Sequence, residues 1–182
     1  MIWLILGLAL WSGVHLFKRI APERRAAMGD KAKGPIALAL VASIVLMVIG
    51  YRGWDVETFY WGRSPAMTGI NNLLMLLAFY LFAASGKGTR ITRAIRHPQL
   101  TAVIVWSGAH LLVNGDAPSF VLFGGLAIWA VVEMIVINRA QGPRGAYHAP
   151  PVKSEVIAVV ATLVVFAIVS AIHIWLGYNP FG

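Results

Sequence analysis

Long apolar runs alternate with short polar, mostly basic segments along the whole chain. Six runs are long enough to cross a bilayer: 1–18, 35–51, 65–85, 98–114, 117–138 and 155–177. A run of about 17–25 apolar residues is typical of a transmembrane helix, since a helix satisfies its own backbone hydrogen bonds within lipid. We therefore predict an all-α, polytopic membrane helix bundle of about six transmembrane helices, with residues 1–182 forming a single membrane domain.

The composition agrees with this fold class and excludes several kinds of site. Of the 182 residues, 59% are hydrophobic and 12% are charged, and the mean hydropathy is +0.75. A soluble domain of this length cannot hide that much apolar surface. The chain has no cysteine, which excludes disulfides, iron–sulfur clusters, thiol catalysis and covalent c-type haem attachment.

The distribution of basic residues predicts the orientation in the membrane. The net charge is +8, and thirteen of the 15 Lys and Arg residues lie in alternate loops, against Arg52 and Arg63 in the others. By the positive-inside rule, both termini lie outside the cytoplasm. In a bacterium this describes a multi-pass protein of the inner membrane with periplasmic termini. The positive loops indicate anionic lipid headgroups as the partner rather than nucleic acid.

A five-residue pattern, Trp-Ser-Gly-x-His, occurs in two of the predicted helices, as WSGVH at 11–15 and WSGAH at 106–110. We call each copy a WSGxH motif. His15 lies near the cytoplasmic end of its helix and His110 toward the outer end of another, a difference in depth of about 10 Å at the helical rise per residue. Side chains tilt toward the N-terminus of their own helix, so in these oppositely directed helices both histidines lean toward the midplane.

Each of these histidines has a tryptophan four residues before it, on the same helix face. Trp11 and Trp106 can therefore form walls beside a flat ligand. Two opposed imidazoles among small and aromatic residues suit the two axial positions of a haem b iron, with His15 and His110 as the metal ligands. The alternative is that both histidines hydrogen-bond to polar groups within the bundle.

Three further polar residues are candidates for functional roles. Asn71 and Asn72 lie at about the depth of His110, where they can orient its second ring nitrogen or join helices. His97 lies 13 residues before His110 and directly before a proline. That spacing suits a second haem site or a catalytic role, whereas a His-Pro pair also marks the start of a helix.

Glu133 is the carboxylate that we place inside a predicted helix. An acidic residue within the membrane is a candidate for a catalytic role. An ion pair with Arg93, Arg96 or Arg139 near the inner face accounts for it equally well.

Several segments together resemble a known family. "GVHLFKRIAPERR", "RHPQLTAVIVWSGAHLLVNGD" and "LFGGLAIWAVVEM" are similar to segments of the NnrU family of bacterial membrane proteins, which is related to the plastid zeta-carotene isomerase. The resemblance covers about residues 1–140. It implies a haem b held by His15 and His110, with His97 as a further functional histidine.

The resemblance implies two different activities. The bacterial members are linked to nitrite and nitric oxide metabolism, and the plastid relatives isomerise a cis double bond of a carotenoid in a manner that depends on the haem redox state. A carotenoid or nitric oxide is then the implied small-molecule partner, together with an electron donor. Plastid members have cysteine where this chain has Ser107, and an alcohol is a poor ligand for haem iron.

Two other classes of protein are compatible with the residues. The segment "RHPQL" at the start of a membrane helix also resembles the isoprenylcysteine-type membrane methyltransferases, which use S-adenosylmethionine. Those enzymes have a paired Glu-Glu in a later segment, where this chain has the single Glu133. The remaining alternative is a cofactor-free structural or assembly protein of the membrane.

Overall fold

The computed structural model describes residues 1–182 except for the side chain of Lys87. Its helices are, in chain order, α1 (Ile2–Ile20), α2 (Pro22–Ala27), α3 (Lys33–Arg52), α4 (Pro65–Lys87), α5 (Pro98–Val113), α6 (Ala117–Ser119), α7 (Gly125–Gln141) and α8 (Val152–Trp175). A π-helical turn, Phe120–Gly124, joins α6 to α7. Two short strands, Phe59–Trp61 and Gly115–Asp116, pair with each other. The all-α helix bundle is confirmed.

Most of the predicted membrane crossings correspond to helices of sufficient length. Among the described residues, five segments are long and apolar enough to cross a membrane: Ile2–Ile20, Asp30–Arg52, Pro65–Gly86, Ala117–Gln141 and Val152–Trp175. The sixth predicted crossing corresponds to α5, which has 16 residues and spans about 24 Å at 1.5 Å per residue. The chain is therefore a polytopic membrane protein, and its orientation stays a prediction.

The helix boundaries follow local sequence signals. Ser64 precedes α4, and its hydroxyl accepts a hydrogen bond from the Met67 N–H at 3.2 Å. Asp116 precedes α6 and accepts from the Ser119 N–H at 2.8 Å. Such side chains satisfy N–H groups that have no partner within the helix. Pro98 opens α5, where the missing N–H of proline costs little.

The chain separates into two compact units. Unit 1 consists of Met1–Tyr60 and Gly115–Gly142, and unit 2 of Trp61–Asn114 and Pro143–Gly182. Unit 1 therefore contains α1, α2, α3, α6 and α7, and unit 2 contains α4, α5 and α8. The single membrane domain over residues 1–182 stays a prediction.

In unit 1, two glycines allow α1 and α3 to pack backbone against backbone. A β-carbon on Gly7 would lie 2.8 Å from the Ser43 carbonyl oxygen, and one on Gly50 would overlap the backbone of Leu4. Gly7 therefore faces the middle of α3, and Leu4 faces its end, so the two helices are antiparallel. Membrane helices associate largely through close packing at small residues, because moving an apolar side chain from lipid to a helix interface contributes little hydrophobic free energy.

The same unit packs α7 against α1 in a parallel direction. A β-carbon on Gly125 would lie 2.8 Å from Leu8 Cδ1. Further along both helices, the His15 and Trp129 rings have centroids 4.8 Å apart. Later residues of α1 thus contact later residues of α7, so the two helices are parallel, as expected for two helices that cross the membrane in the same direction.

In unit 2, α4 runs antiparallel to both α5 and α8. The indole of Trp61, just before α4, donates to the Leu111 carbonyl near the end of α5 at 3.0 Å. Phe79 and Phe166 join α4 to α8 with ring centroids 6.3 Å apart. Tyr80 contacts Glu155 near the start of α8, and Asn72 contacts Pro180 beyond its end. α5 and α8 therefore run in the same direction, opposite to α4, as expected for the fourth and sixth of six alternating crossings.

A short 3-10 helix, Arg90–Arg93, is attached to the start of α8. The carboxylate of Glu155 accepts a hydrogen bond from the Arg90 N–H, and it accepts a second from the Tyr80 hydroxyl at 2.9 Å. The arginines recur every three residues, the period of a 3-10 helix.

Candidate functional site

The imidazole of His15 is oriented by its own helix. Its Nδ1 lies 2.9 Å from the Trp11 carbonyl oxygen. Because a carbonyl only accepts, Nδ1 carries the proton, and the lone pair of a neutral ring is on Nε2. The Trp11 ring lies against the imidazole, with centroids 4.2 Å apart and planes at 38°. A hydrogen bond of this kind is how proteins orient a histidine that ligates a metal.

The second WSGxH motif, in unit 2, has the same local geometry. His110 Nδ1 donates to the Trp106 carbonyl at 2.9 Å, and the rings have centroids 4.9 Å apart with planes at 50°. The four-residue spacing produces this arrangement, because residues i and i+4 share one helix face. The two copies of the motif therefore share a local structure as well as a sequence.

A third histidine, His173, shows which feature of this geometry is common to histidines in these helices and which is found only in the WSGxH motifs. His173 in α8 donates from Nδ1 to the Val169 carbonyl at 2.8 Å. This hydrogen bond to the carbonyl four residues earlier is therefore not specific to the WSGxH motifs. The indole four residues earlier distinguishes His15 and His110 from His173.

A tryptophan that the sequence analysis missed completes the surroundings of His15. The Trp129 ring contacts the imidazole with centroids 4.8 Å apart and planes at 63°, and it contacts the Trp11 ring at 5.4 Å and 79°. We call Trp11, His15 and Trp129 the ring cluster. The sequence contains a hint of this contact. His15 and Trp129 are each followed four positions later by a charged residue, Arg19 and Glu133, and the two charges are opposite.

Those two charged residues form an ion pair between α1 and α7. Arg19 Nε lies 3.5 Å from Glu133 Oε1, and the Glu133 side chain is 6% exposed. The partner of Glu133 is therefore Arg19, rather than Arg93, Arg96 or Arg139. A buried carboxylate needs a charged partner, so the ion pair explains its presence in a membrane helix. Its catalytic role stays a prediction.

Polar atoms near the ring cluster are buried without partners. Trp11 Nε1, Trp129 Nε1, Arg19 Nε and Glu133 Oε2 have no hydrogen-bond partner among the described residues. In unit 2, the same holds for Ser107 Oγ, which is fully buried. Such atoms are uncommon in folded proteins and call for an explanation.

The two asparagines hold the C-terminal segment. Asn71 donates to Asn72 Oδ1 at 3.2 Å, and Asn72 donates to the Pro180 carbonyl at 3.1 Å. The ring nitrogen of His110 that we expected them to orient is bonded to Trp106 instead. Of the two interpretations, joining segments of the chain is the one that the contacts support.

His97 immediately precedes α5, which begins at Pro98. This position supports the interpretation of the His-Pro pair as a helix start. Its functional role stays a prediction.

An apolar groove lies between α1 and α3, with a volume of about 380 Å³. Gly13 lines it together with Phe17, Met28 and Pro35. Gly13 and His15 are two residues apart, so they point about 200° away from each other around the helix axis. The glycine of this motif therefore opens space on the face of α1 that is opposite to His15.

The donor set determines which metal centre is possible. Among the described residues, no three His, Cys, Asp or Glu side chains gather to hold a metal ion. A haem iron needs only axial ligands from the protein, because the macrocycle supplies the other four. Within its own unit, each of the two imidazoles is oriented as one such axial ligand would be.

Comparison with known proteins places the chain in a family. No curated protein and no solved structure matches it. The family model described as NnrU protein matches residues 3–180, which extends well past the 1–140 region where the resemblance is visible in the sequence. The chain belongs to the NnrU family.

Proposed function

We propose that this NnrU-family membrane protein binds haem b, with His15 and His110 as axial ligands of the iron. The observation that supports the proposal is the repeated geometry of the two WSGxH motifs. In each, the Nδ1–H group donates to the carbonyl of the tryptophan four residues earlier. This tautomer puts the lone pair on Nε2, the atom with which such a histidine binds iron.

Haem supplies a one-electron iron couple, whose potential the protein sets through its ligands and surroundings. The residues of the chain hold the imidazoles in place. Trp11 and Trp106 restrict the rotation of the histidine rings by contact, and the apolar helices exclude water. Such surroundings suit a cofactor that serves a reaction within the membrane.

The activity that uses this haem is either polyene cis–trans isomerisation or a step in nitrite and nitric oxide metabolism. Ser107 is fully buried in α5 at the position where plastid relatives have cysteine. Because an alcohol is a poor ligand for haem iron, we propose that any isomerase activity here proceeds without a thiolate ligand. Assays with zeta-carotene under oxidising and reducing conditions, and titration with nitric oxide, separate the two activities.

The proposal is tested by purifying the protein in detergent from haem-replete cells. A pyridine haemochrome assay then measures the haem content per chain. We expect a b-type spectrum at about one haem per chain. A colourless protein contradicts the proposal, and binding of S-adenosylmethionine then becomes the next measurement.

A further inference from the structure

The polar atoms without partners in unit 1 belong to residues on the facing sides of α1 and α7. Three are N–H donors, Trp11 Nε1, Trp129 Nε1 and Arg19 Nε, and one is an acceptor, Glu133 Oε2. Each buried polar atom without a partner destabilises the folded chain, because it gives up its hydrogen bonds to water and gains none. Four such atoms on one pair of helices indicate that a further chemical group belongs beside them.

The balance of donors and acceptors points to the class of that group. A water molecule accepts two hydrogen bonds, so one water satisfies at most two of these three donors. A carboxylate offers about four acceptor positions and no donor. A carboxyl group that shares one proton with Glu133 also satisfies Oε2.

The electrostatics of the pair favour the same class. Arg19 and Glu133 lie 3.5 Å apart, so their formal charges cancel and no bare cation is left in the membrane. The planar guanidinium presents five donors, of which Nε lies 3.5 Å from Glu133 Oε1 and makes no hydrogen bond to a described residue. Arginine is the residue best suited to bind a carboxylate through more than one hydrogen bond.

We propose that Arg19, Trp11 and Trp129 form a carboxyl-binding site beside His15. Arg19 follows His15 by one helical turn on the same face, and the Trp129 ring contacts the imidazole. This inference rests on the proposed function for the identity of its ligand, which is a propionate side chain of haem b. The shared chemistry also admits the carboxyl group of a long-chain fatty acid.

The experiment compares haem with haem dimethyl ester, in which both propionates are blocked. Trp129→Phe removes the N–H donor and keeps an aromatic ring against His15. Trp3→Phe is the control, because it makes the same substitution at an exposed tryptophan of α1. The double variant Arg19→Gln with Glu133→Gln removes the charged donor without leaving an unpaired charge. The dissociation constant of each ligand is measured by absorbance titration.

We expect the wild-type protein to bind haem about tenfold more tightly than the ester, as one hydrogen bond to a charged group predicts. Trp129→Phe and the double variant should each reduce the preference for haem over the ester by about tenfold, because any effect on His15 itself weakens both ligands alike. Trp3→Phe should leave this preference unchanged.

Two results overturn the inference in distinguishable ways. Equal affinity of the wild-type protein for haem and its ester, with no effect of Trp129→Phe, shows that these donors bind only water and leaves the haem proposal intact. If neither ligand binds, the haem proposal fails, and titration with a fluorescent long-chain fatty acid decides the site. Fatty-acid binding that Trp129→Phe weakens supports a carboxyl site, and no binding overturns it.

Discussion

The imidazole of His15 lies against the indole of Trp129, with ring centroids 4.8 Å apart and ring planes at 63°. This edge-to-face contact joins the first helix of the chain to α7, more than a hundred residues later. Trp129 is buried, and it also touches Trp11, the residue that accepts the hydrogen bond from His15. The orientation of one candidate ligand thus depends on packing between two helices.

Trp129→Ala should destabilise the protein and loosen His15. Truncating a buried tryptophan to alanine typically lowers the free energy of unfolding by about 3–5 kcal/mol, part of which is the aromatic contact itself. Thermal unfolding in detergent measures the change. Trp3→Ala, at an exposed position of α1, is the control and should change the free energy of unfolding by less than about 0.5 kcal/mol. Equal effects of the two substitutions contradict the packing described for Trp129.

Gly50→Ala should separate α1 from α3. The added β-carbon would overlap the backbone of Leu4, and backbone atoms cannot move aside as a flexible side chain does. We expect a loss of at least about 1–3 kcal/mol in the free energy of unfolding. Gly34→Ala on the same helix is the matched control, because nothing lies within 4 Å of its added carbon. A Gly50→Ala protein as stable as Gly34→Ala would show that the helices do not approach this closely.

Glu133→Gln should cost more stability than the double variant with Arg19→Gln. The single substitution leaves a cation without its partner near the membrane interior. Since the Arg19 side chain is 27% exposed, we expect a loss of about 2 kcal/mol, below the about 3–5 kcal/mol of a fully buried pair. The melting temperatures of the two variants in detergent provide the comparison. If the double variant is no more stable than the single one, the ion pair is not what places Glu133 in α7.

Glu155→Ala should release the 3-10 helix Arg90–Arg93 from α8. The carboxylate accepts from the Arg90 N–H and from the Tyr80 hydroxyl, so its removal leaves both donors without that acceptor. Hydrogen exchange at the Arg90 amide should accelerate by about tenfold or more, the equivalent of one charge-assisted hydrogen bond. Glu57→Ala, in an exposed loop, should leave exchange at Arg90 unchanged. Unchanged exchange in Glu155→Ala contradicts the attachment.

The hydrophobic pattern alone predicted the fold class and the positions of the helices. Each predicted run matches a helix to within a few residues, because crossing lipid requires a long apolar segment and a polar segment must end it. The Asp116 cap and the Pro98 helix start were also predictable, since both depend on neighbours in sequence.

Contacts between helices were not predictable in the same way. The charged residues four positions after His15 and Trp129 hint at the contacts between these helices. The pattern does not establish them, because they depend on how α1 and α7 are rotated about their axes. The sequence placed Asn72 near a histidine by depth alone, whereas its amide bonds to Pro180. The depth of a residue in the membrane can be counted along its helix, but which neighbouring helix its side chain faces is known only from the packed structure.

The central claim, that His15 and His110 ligate haem iron, is tested most directly by the haem content of three single variants. His15→Ala, His110→Ala and His173→Ala are purified in parallel, and their reduced-minus-oxidised spectra are compared at equal protein concentration. His173 makes the same Nδ1 hydrogen bond to its helix but has no tryptophan four residues before it. We predict that His15→Ala and His110→Ala each lose stable haem binding, while His173→Ala retains the wild-type b-type spectrum. Full haem content in both His15→Ala and His110→Ala would contradict the claim.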